Sequence, residues 1–375
     1  MNLLREIHIV SFNIPYPPNY GGVIDVFYKI KTLHELGISI HLHCFKYDRK
    51  ESKELEKYCK TINYYKRPKT LSCFFSKLPF IVITRSNNKL YENLIKDNLP
   101  IIFEGLHTCY YIPQLLTNYK KRKLIVRTHN IEHEYYKELA SKEKNLLKKL
   151  FFVTESKKLK SFEKILEHNI EIAAITYKDQ NHFKTYNKNS SLISAFHPNY
   201  EVDVLAGKGE YILYHGNLSV NENIEAANYI IEKISTQLNH KFIIAGLNPR
   251  PQLVKTISKH NNVELVANSS NKDMFDLIQN AQINLLLTKQ DTGIKLKLLN
   301  SLYIGRFCIV NNKMIHGTNL ESLCTISNSP SEIVQNINEL MDKTFSDNEI
   351  NNRRQILLKF VNNKKNAQKL INLLD

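Results

Sequence analysis

Short runs of aliphatic and β-branched residues alternate with stretches whose apolar positions recur every three or four residues. The rhythm runs through the chain twice. In the first half, residues 7–12 read as a buried strand and 13–22 as a Pro/Gly-rich loop. Val23, Val26, Phe27, Ile30 and Leu33 then mark one face of a helix that Gly37 stops. Strands are expected next at 38–45, 101–104, 124–128, 172–176 and 192–196. The second half restarts with strands at 211–215, 241–245, 263–266, 283–287 and 307–310, a helix from Asn223 to about Ile234, and closing helices at about 331–343 and 349–374.

Repeated strand–helix–strand units predict parallel sheets covered on both faces. The polar stretch 197–209, with Pro198, Gly207 and Gly209, reads as a linker. The expected fold is therefore α/β, with two doubly wound Rossmann-like domains: residues 1–200, joined by a C-terminal helix at about 360–375, and residues 210–345. In such sheets ligands bind beyond the carboxyl ends of the strands, often against helix N-termini. The residues to search thus follow Phe12, Glu104, Thr128, His215, Gly246 and Leu287.

Four of those places carry chemistry. Gly21 and Gly22 open the first helix, where bare backbone lets N–H groups approach an anion or a sugar. No G-x-G-x-x-G is present, which disfavours a nicotinamide or flavin dinucleotide. Glu104-Gly-Leu-His107 and Arg127-Thr-His-Asn-Ile-Glu-His133 crowd ionisable groups at two strand ends. His129 and His133 have no third ligand nearby in sequence, so no metal is expected. In Asp291-Thr-Gly-Ile-Lys-Leu-Lys-Leu-Leu-Asn300, Thr292 reads as an N-cap. Lys295 then falls in or beside the first helical turn, where a cation is disfavoured unless it shares an anion with the free N–H groups. Lys295 and Lys297 lie about 200° apart on a helix and cannot both face one site; Lys295 is the one assigned to the phosphate.

Composition adds a charge. The formal net charge is +16, and eight lysines between Lys142 and Lys164 face three glutamates. With Leu146, Leu147, Leu150, Phe151, Phe152, Leu159 and Phe162, that segment reads as a basic amphipathic helix. It is suited to an anionic membrane surface if the acceptor is lipid-linked, and otherwise is a solvated face. No nucleic-acid-binding motif accompanies the charge. Six scattered cysteines without C-x-x-C spacing suit a reducing compartment, and no apolar run reaches the roughly 20 residues a spanning helix needs. A cytoplasmic protein, peripheral on the inner face of the membrane at most, is the expectation.

Taken in order, Gly21-Gly22, Glu104-Gly-Leu-His107, Arg127-Thr-His-Asn-Ile-Glu132, His197-Pro-Asn199, His215-Gly-Asn217 with Asn223, Ile244-Ala-Gly246, Thr292-Gly-Ile-Lys-Leu-Lys297 and Leu302-Tyr-Ile-Gly305 resemble the family-4 glycosyltransferases of the GT-B fold, over nearly the whole chain. The resemblance implies a retaining, metal-independent sugar transfer from a nucleotide-sugar donor to a glycan or polyprenyl-linked acceptor, with no cofactor. It assigns catalysis to His107 and Lys295, and the donor to Gly21, Gly22, Arg127, His129, Gly216, Asn217, Gly246, Thr292, Gly293, Ile294 and Asn300. The acceptor would lie along the first domain, where Phe74, Phe75, Leu78, Phe80 and Ile81 form an apolar stretch. Two pairs of positions depart from the family pattern. Thr292 and Asn300 stand where two glutamates are common, and Asn217 and Asn221 where an arginine and a lysine are common. A nucleotide-sugar 2-epimerase of the same fold and a silent partner subunit are the alternatives.

Overall fold

The apolar runs become two parallel sheets. The structure, a computed structural model, describes residues 6–68, 70–167, 170–289 and 295–374. The chain divides into two compact units, Met1–Pro198 with Asn362–Asp375, and Asn199–Val361.

In the first unit β1 (Glu6–Ser11), β2 (Ser39–Lys46), β3 (Thr61–Lys66), β4 (Ile101–Glu104), β5 (Leu124–Thr128), β6 (Glu171–Ala174) and β7 (Ser190–Leu192) pair in the order β3-β2-β1-β4-β5-β6-β7. The pairs are parallel, and Glu104 lies in register beside Arg127. Side chains alternate between the faces of a sheet, so both faces are apolar. Ile102, Ile125 and Ala173 pack with Val26, Ile30 and Leu33 of the first helix, Gly21–Glu35, and with Leu370 and Leu374 of the last, Asn363–Leu374. Phe103, Val126 and Ile172 pack on the other side with Leu159 and Phe162.

The second unit repeats the pattern. Here β8 (Tyr211–His215), β9 (Lys241–Gly246), β10 (Val263–Ala267), β11 (Ile283–Leu286), β12 (Phe307–Val310) and β13 (Thr325–Ile326) pair in the order β10-β9-β8-β11-β12-β13, all parallel. In both sheets the order reverses beside the first strand, between β1 and β4 and between β8 and β11. These are the switch points where doubly wound sheets bind ligands.

Several local expectations change. The edge strands β3 and β13 have no counterpart in the hydrophobic pattern. The closing helix 349–374 is two helices, Asp347–Phe360 and Asn363–Leu374, separated at Val361, whose backbone (φ −134°, ψ 43°) leaves the helical region. The break is also the boundary between the units. The basic segment 142–164 is likewise interrupted: one helix ends at Lys142 and the next, Leu146–Phe162, begins after Asn145, whose side chain accepts from Lys148 N. Thr292 lies outside the described residues, and the helix expected to start there starts at Leu296 with Lys295 in the N-cap position.

Candidate active site

At the first switch point, Phe12, Glu104-to-His107 and Arg127-to-Glu132 meet. The Phe12 ring lies 5.6 Å from both the His107 and His129 rings, edge-on to the latter. A Cβ added to Gly22 would sit 2.7 Å from the Phe12 ring, whereas one added to Gly21 would meet nothing within 4 Å. Gly22 is thus required by packing, and Gly21 faces open space.

Gly105, at φ +71°, turns the chain after β4 and aims the His107 side chain back over the sheet. A residue with a Cβ is strained in that conformation. The His107 side chain is 23% exposed, and its Nδ1 stands 3.9 Å from Glu132 Oε1 with no hydrogen-bond partner. Burial, and then the Arg85 and His129 charges, hold its pKa well below the ordinary 6.5, so the imidazole is neutral. Burial, reinforced by Glu163, pushes the Glu132 carboxyl up to about 8. Arg85, which the sequence did not single out, donates twice to the Phe12 carbonyl and so clamps the end of β1.

Beneath these groups lies a buried network of charge. Lys29 Nζ bridges Asp25 (3.0 Å) and Glu104 (2.7 Å), and Arg127 donates to Asp25 at 2.8 and 3.2 Å. Arg127 also donates to the carbonyls of Ile193 and Ser194, and Asp25 accepts from Phe196 N at 2.8 Å. Burial would raise the Asp25 carboxyl, but Arg127 and Lys29 outweigh it and hold the group below the usual carboxylate range. Arg127, assigned to the donor from sequence, is wholly buried and engaged below the site; it cannot reach a ligand. His129 Nε2 lies 3.2 Å from Glu104 Oε2 and connects the network to the surface.

His133 turns elsewhere. Its Nδ1 is 3.0 Å from Glu163, which His182 and the Tyr186 hydroxyl also reach, at 2.7 and 3.0 Å. The histidines that lacked a third partner in sequence therefore each join a group of potential ligands, His133–Glu163–His182 and Asp25–Glu104–His129.

At the second switch point the turns are backbone-dense. A Cβ on Gly246 would lie 1.8 Å from the Gly216 carbonyl oxygen, so the turn after β8 can pack on the end of β9 only because residue 246 has no side chain. Gly216 N donates to Ala245 O. The Asn217 side chain closes its own turn, accepting from Ser219 N and Oγ at 3.0 and 2.7 Å, and its carbonyl accepts from Asn223 Nδ2. His215 is buried against Ser301 Oγ (3.2 Å), and burial pushes its pKa down to about 3.

Lys297 is a cation held at these turns. Its Nζ donates to Asn223 Oδ1 at 3.2 Å and lies 5.0 Å over the Tyr214 ring. Burial pushes it down to about 8, opposed by Glu222 and assisted by Lys295. Asn300 Oδ1 accepts from Asn199 Nδ2 at 2.9 Å. Thr292, Gly293 and Ile294 lie outside the described residues.

No family profile matches the chain. An uncharacterised 44.6 kDa protein of the cps region of Klebsiella pneumoniae is 25% identical over 329 residues, 85% of this chain and 79% of that protein. Among solved structures, sucrose-phosphate synthase from Thermosynechococcus elongatus matches with a TM-score of 0.68 at 14% identity, covering 98% of each chain. A glycosyltransferase from Rickettsia africae matches at 0.65 and 13%, covering 100% of this chain and 98% of its own. A variant of Staphylococcus aureus TarM, crystallised with fondaparinux, α-GlcNAc-glycerol and UDP, matches at 0.63 and 12%, covering 99% and 100%. Identity this low with coverage this complete is a likeness of architecture, and the chain has the GT-B fold of these glycosyltransferases.

Proposed function

We propose that this protein transfers a sugar from a nucleoside-diphosphate sugar to a glycan or polyprenyl-linked acceptor, with retention at the anomeric carbon and without a metal ion. The observation that carries this reading is Lys297, a half-buried cation at a switch point held against a neutral amide and a ring. Such a group is completed by an anion, and the diphosphate is the anion the fold's chemistry offers. As the sugar–phosphate bond stretches, its electron pair moves onto the diphosphate, where Lys297 and the start of the Leu296–Ile304 helix stabilise it. Retention follows if the acceptor hydroxyl attacks from the face the diphosphate leaves and gives its proton to the departing oxygen. At the other switch point the neutral His107 and protonated Glu132 offer hydrogen bonds to sugar hydroxyls without adding charge.

Asp25, Glu104 and His129 could in principle gather a cation, but Lys29 and Arg127 already compensate both carboxylates. A divalent ion would add repulsion there, which supports metal independence. The UDP in the TarM complex and the cps-region relative support a nucleotide-sugar donor and a role in polysaccharide assembly.

The test is nucleoside-diphosphate release from a panel of UDP-, GDP-, ADP- and dTDP-sugars in EDTA, with and without glycan and polyprenyl-linked acceptors. Acceptor-dependent release from one donor, with the anomeric configuration retained in the product, is expected. Acceptor-independent formation of a 2-epimer would make the protein an epimerase, and nucleotide binding without turnover a silent partner.

A further inference from the structure

The helix Leu146–Phe162 of the first unit is apolar on the wrong side. At 100° per residue its inward face is set by Glu155, Leu159 and Phe162, which are buried. Leu146, Leu150 and Val153 fall within about 60° of one another on roughly the opposite side. Leu146 is 80% and Leu147 81% exposed, and Leu150 and Val153 are also exposed. A helix that serves only to cover the sheet carries polar residues there.

A second element extends the patch. The turn Leu71–Phe74 is held against this helix: the Phe74 ring lies 4.4 Å from Phe80 and 6.0 Å from Phe151, and Lys158 Nζ donates to the Phe74 carbonyl at 3.3 Å. Glu155 fixes the same junction by accepting from Phe80 N. The contact leaves Leu71 and Phe75 outside, with Phe75 87% exposed. Lys149, Lys157 and Lys160, all exposed, lie within about 70° of the Leu146, Leu150 and Val153 face on the same helix, and exposed Lys77 and Lys144 lie on the adjoining segments.

We propose that this surface docks on an anionic lipid bilayer, with Leu71, Phe75, Leu146, Leu147 and Leu150 entering the acyl boundary and the lysines meeting the headgroups. A surface that is apolar at its centre and cationic around it matches an interface that is apolar beneath and anionic above. A second copy of this chain would bring lysine against lysine. No helix among the described residues is long and apolar enough to cross a membrane, so the attachment is peripheral and reversible. It does not depend on the proposed reaction, and its test uses no substrate.

The chain contains no tryptophan, so Leu150→Trp reports on this surface alone. With vesicles of phosphatidylcholine and phosphatidylglycerol at low salt, we expect the indole emission to shift to the blue and to be quenched by brominated acyl chains. Phosphatidylcholine alone should give neither effect. Separately, Leu146→Glu with Leu147→Glu should lower flotation of the otherwise native protein with anionic vesicles at least tenfold while leaving the melting temperature within a degree or two. Replacing Lys149 and Lys157 by Gln should lower binding roughly tenfold at low salt and little at high salt. The proposal is overturned if the indole stays solvent-exposed with anionic vesicles. It is equally overturned if the indole is already shielded without them in a protein that sediments as a dimer, or if the glutamate variant floats like the original.

Discussion

The two units share one strand order and one place for a site, yet they furnish it in opposite ways. Below the first switch point, charges are buried and matched: Asp25 and Glu104 lie against Lys29 and Arg127, and every one of them holds backbone or side chains in place. At the second, the turns are shaped by Gly216, Gly246 and Asn217, and half-buried Lys297 contacts Asn223 and the Tyr214 ring, with Glu222 acting on it electrostatically. The buried charges below the first switch point are structural, whereas Lys297 at the second is the group the proposed function assigns to the donor. Substitutions should therefore cost the first unit its fold and the second its affinity.

The largest expected effect follows from breaking the matched set. Asp25→Ala leaves Lys29 and Arg127 buried without their shared carboxylate and removes the acceptor for Phe196 N, which should lower stability by about 3–5 kcal/mol. Urea unfolding measures it, and a variant as stable as the original would remove the network from its structural role.

Lys297→Met should leave stability nearly unchanged or higher, because a desolvated cation is replaced by an apolar chain of similar length. Turnover should fall by about 10²–10³. Retained turnover in a folded Lys297→Met protein would pass the role back to Lys295. Lys295→Ala, at the N-cap, is expected to cost less than Lys297→Met in the same assay.

His107→Ala should lower the rate at saturation while nucleoside-diphosphate affinity stays within about threefold, since His107 belongs to the first unit. The reverse pattern would contradict the division of labour between the units.

The smallest effect is one of pH. Glu132 has its pKa raised from the ordinary 4.5 to about 8, so between those values the folded state keeps a proton that the unfolded state has lost. Its contribution to stability is complete below pH 4.5 and is lost as pH rises through about 8. Glu132→Gln should flatten the fall in melting temperature over that window. An unchanged slope would show that another group titrates there.

The fold was legible because both sheets are buried on two faces. Strands such as β4, β5, β8 and β12 are continuous apolar runs bounded by polar residues, and their limits coincide with the pattern. The edge strand β3, Thr-Ile-Asn-Tyr-Tyr-Lys, is partly exposed and carries no such run. The break at Val361 carries no Gly or Pro to mark it; its one trace is that the apolar stripe changes face, since Leu357 and Leu370 lie 13 residues, or about 220°, apart on a helix.

The site was half legible. Position in the sheet identified the right loops, but not which ionisable groups face inward. Arg127 ends a strand buried on both faces, and its side chain goes to the interior. Asp25 and Lys29, four apart on the otherwise apolar face of the first helix, were a signal of a buried pair that the periodicity argument passed over. Lys297 was set aside because the helix was expected to begin at Thr292. Its start at Leu296 turns Lys297 towards Tyr214 and Asn223.

The most direct test of the account is calorimetric titration of nucleoside diphosphates into the protein and into Lys297→Met, at pH 7 and pH 9. Lys297 is held down to about 8 in the free protein, so a bound diphosphate should draw a proton onto it. The account predicts binding that is tighter at pH 7 than at pH 9, proton uptake near pH 8, and loss of both affinity and uptake in Lys297→Met. Binding that is equally tight at both pH values and unchanged in the variant would contradict it.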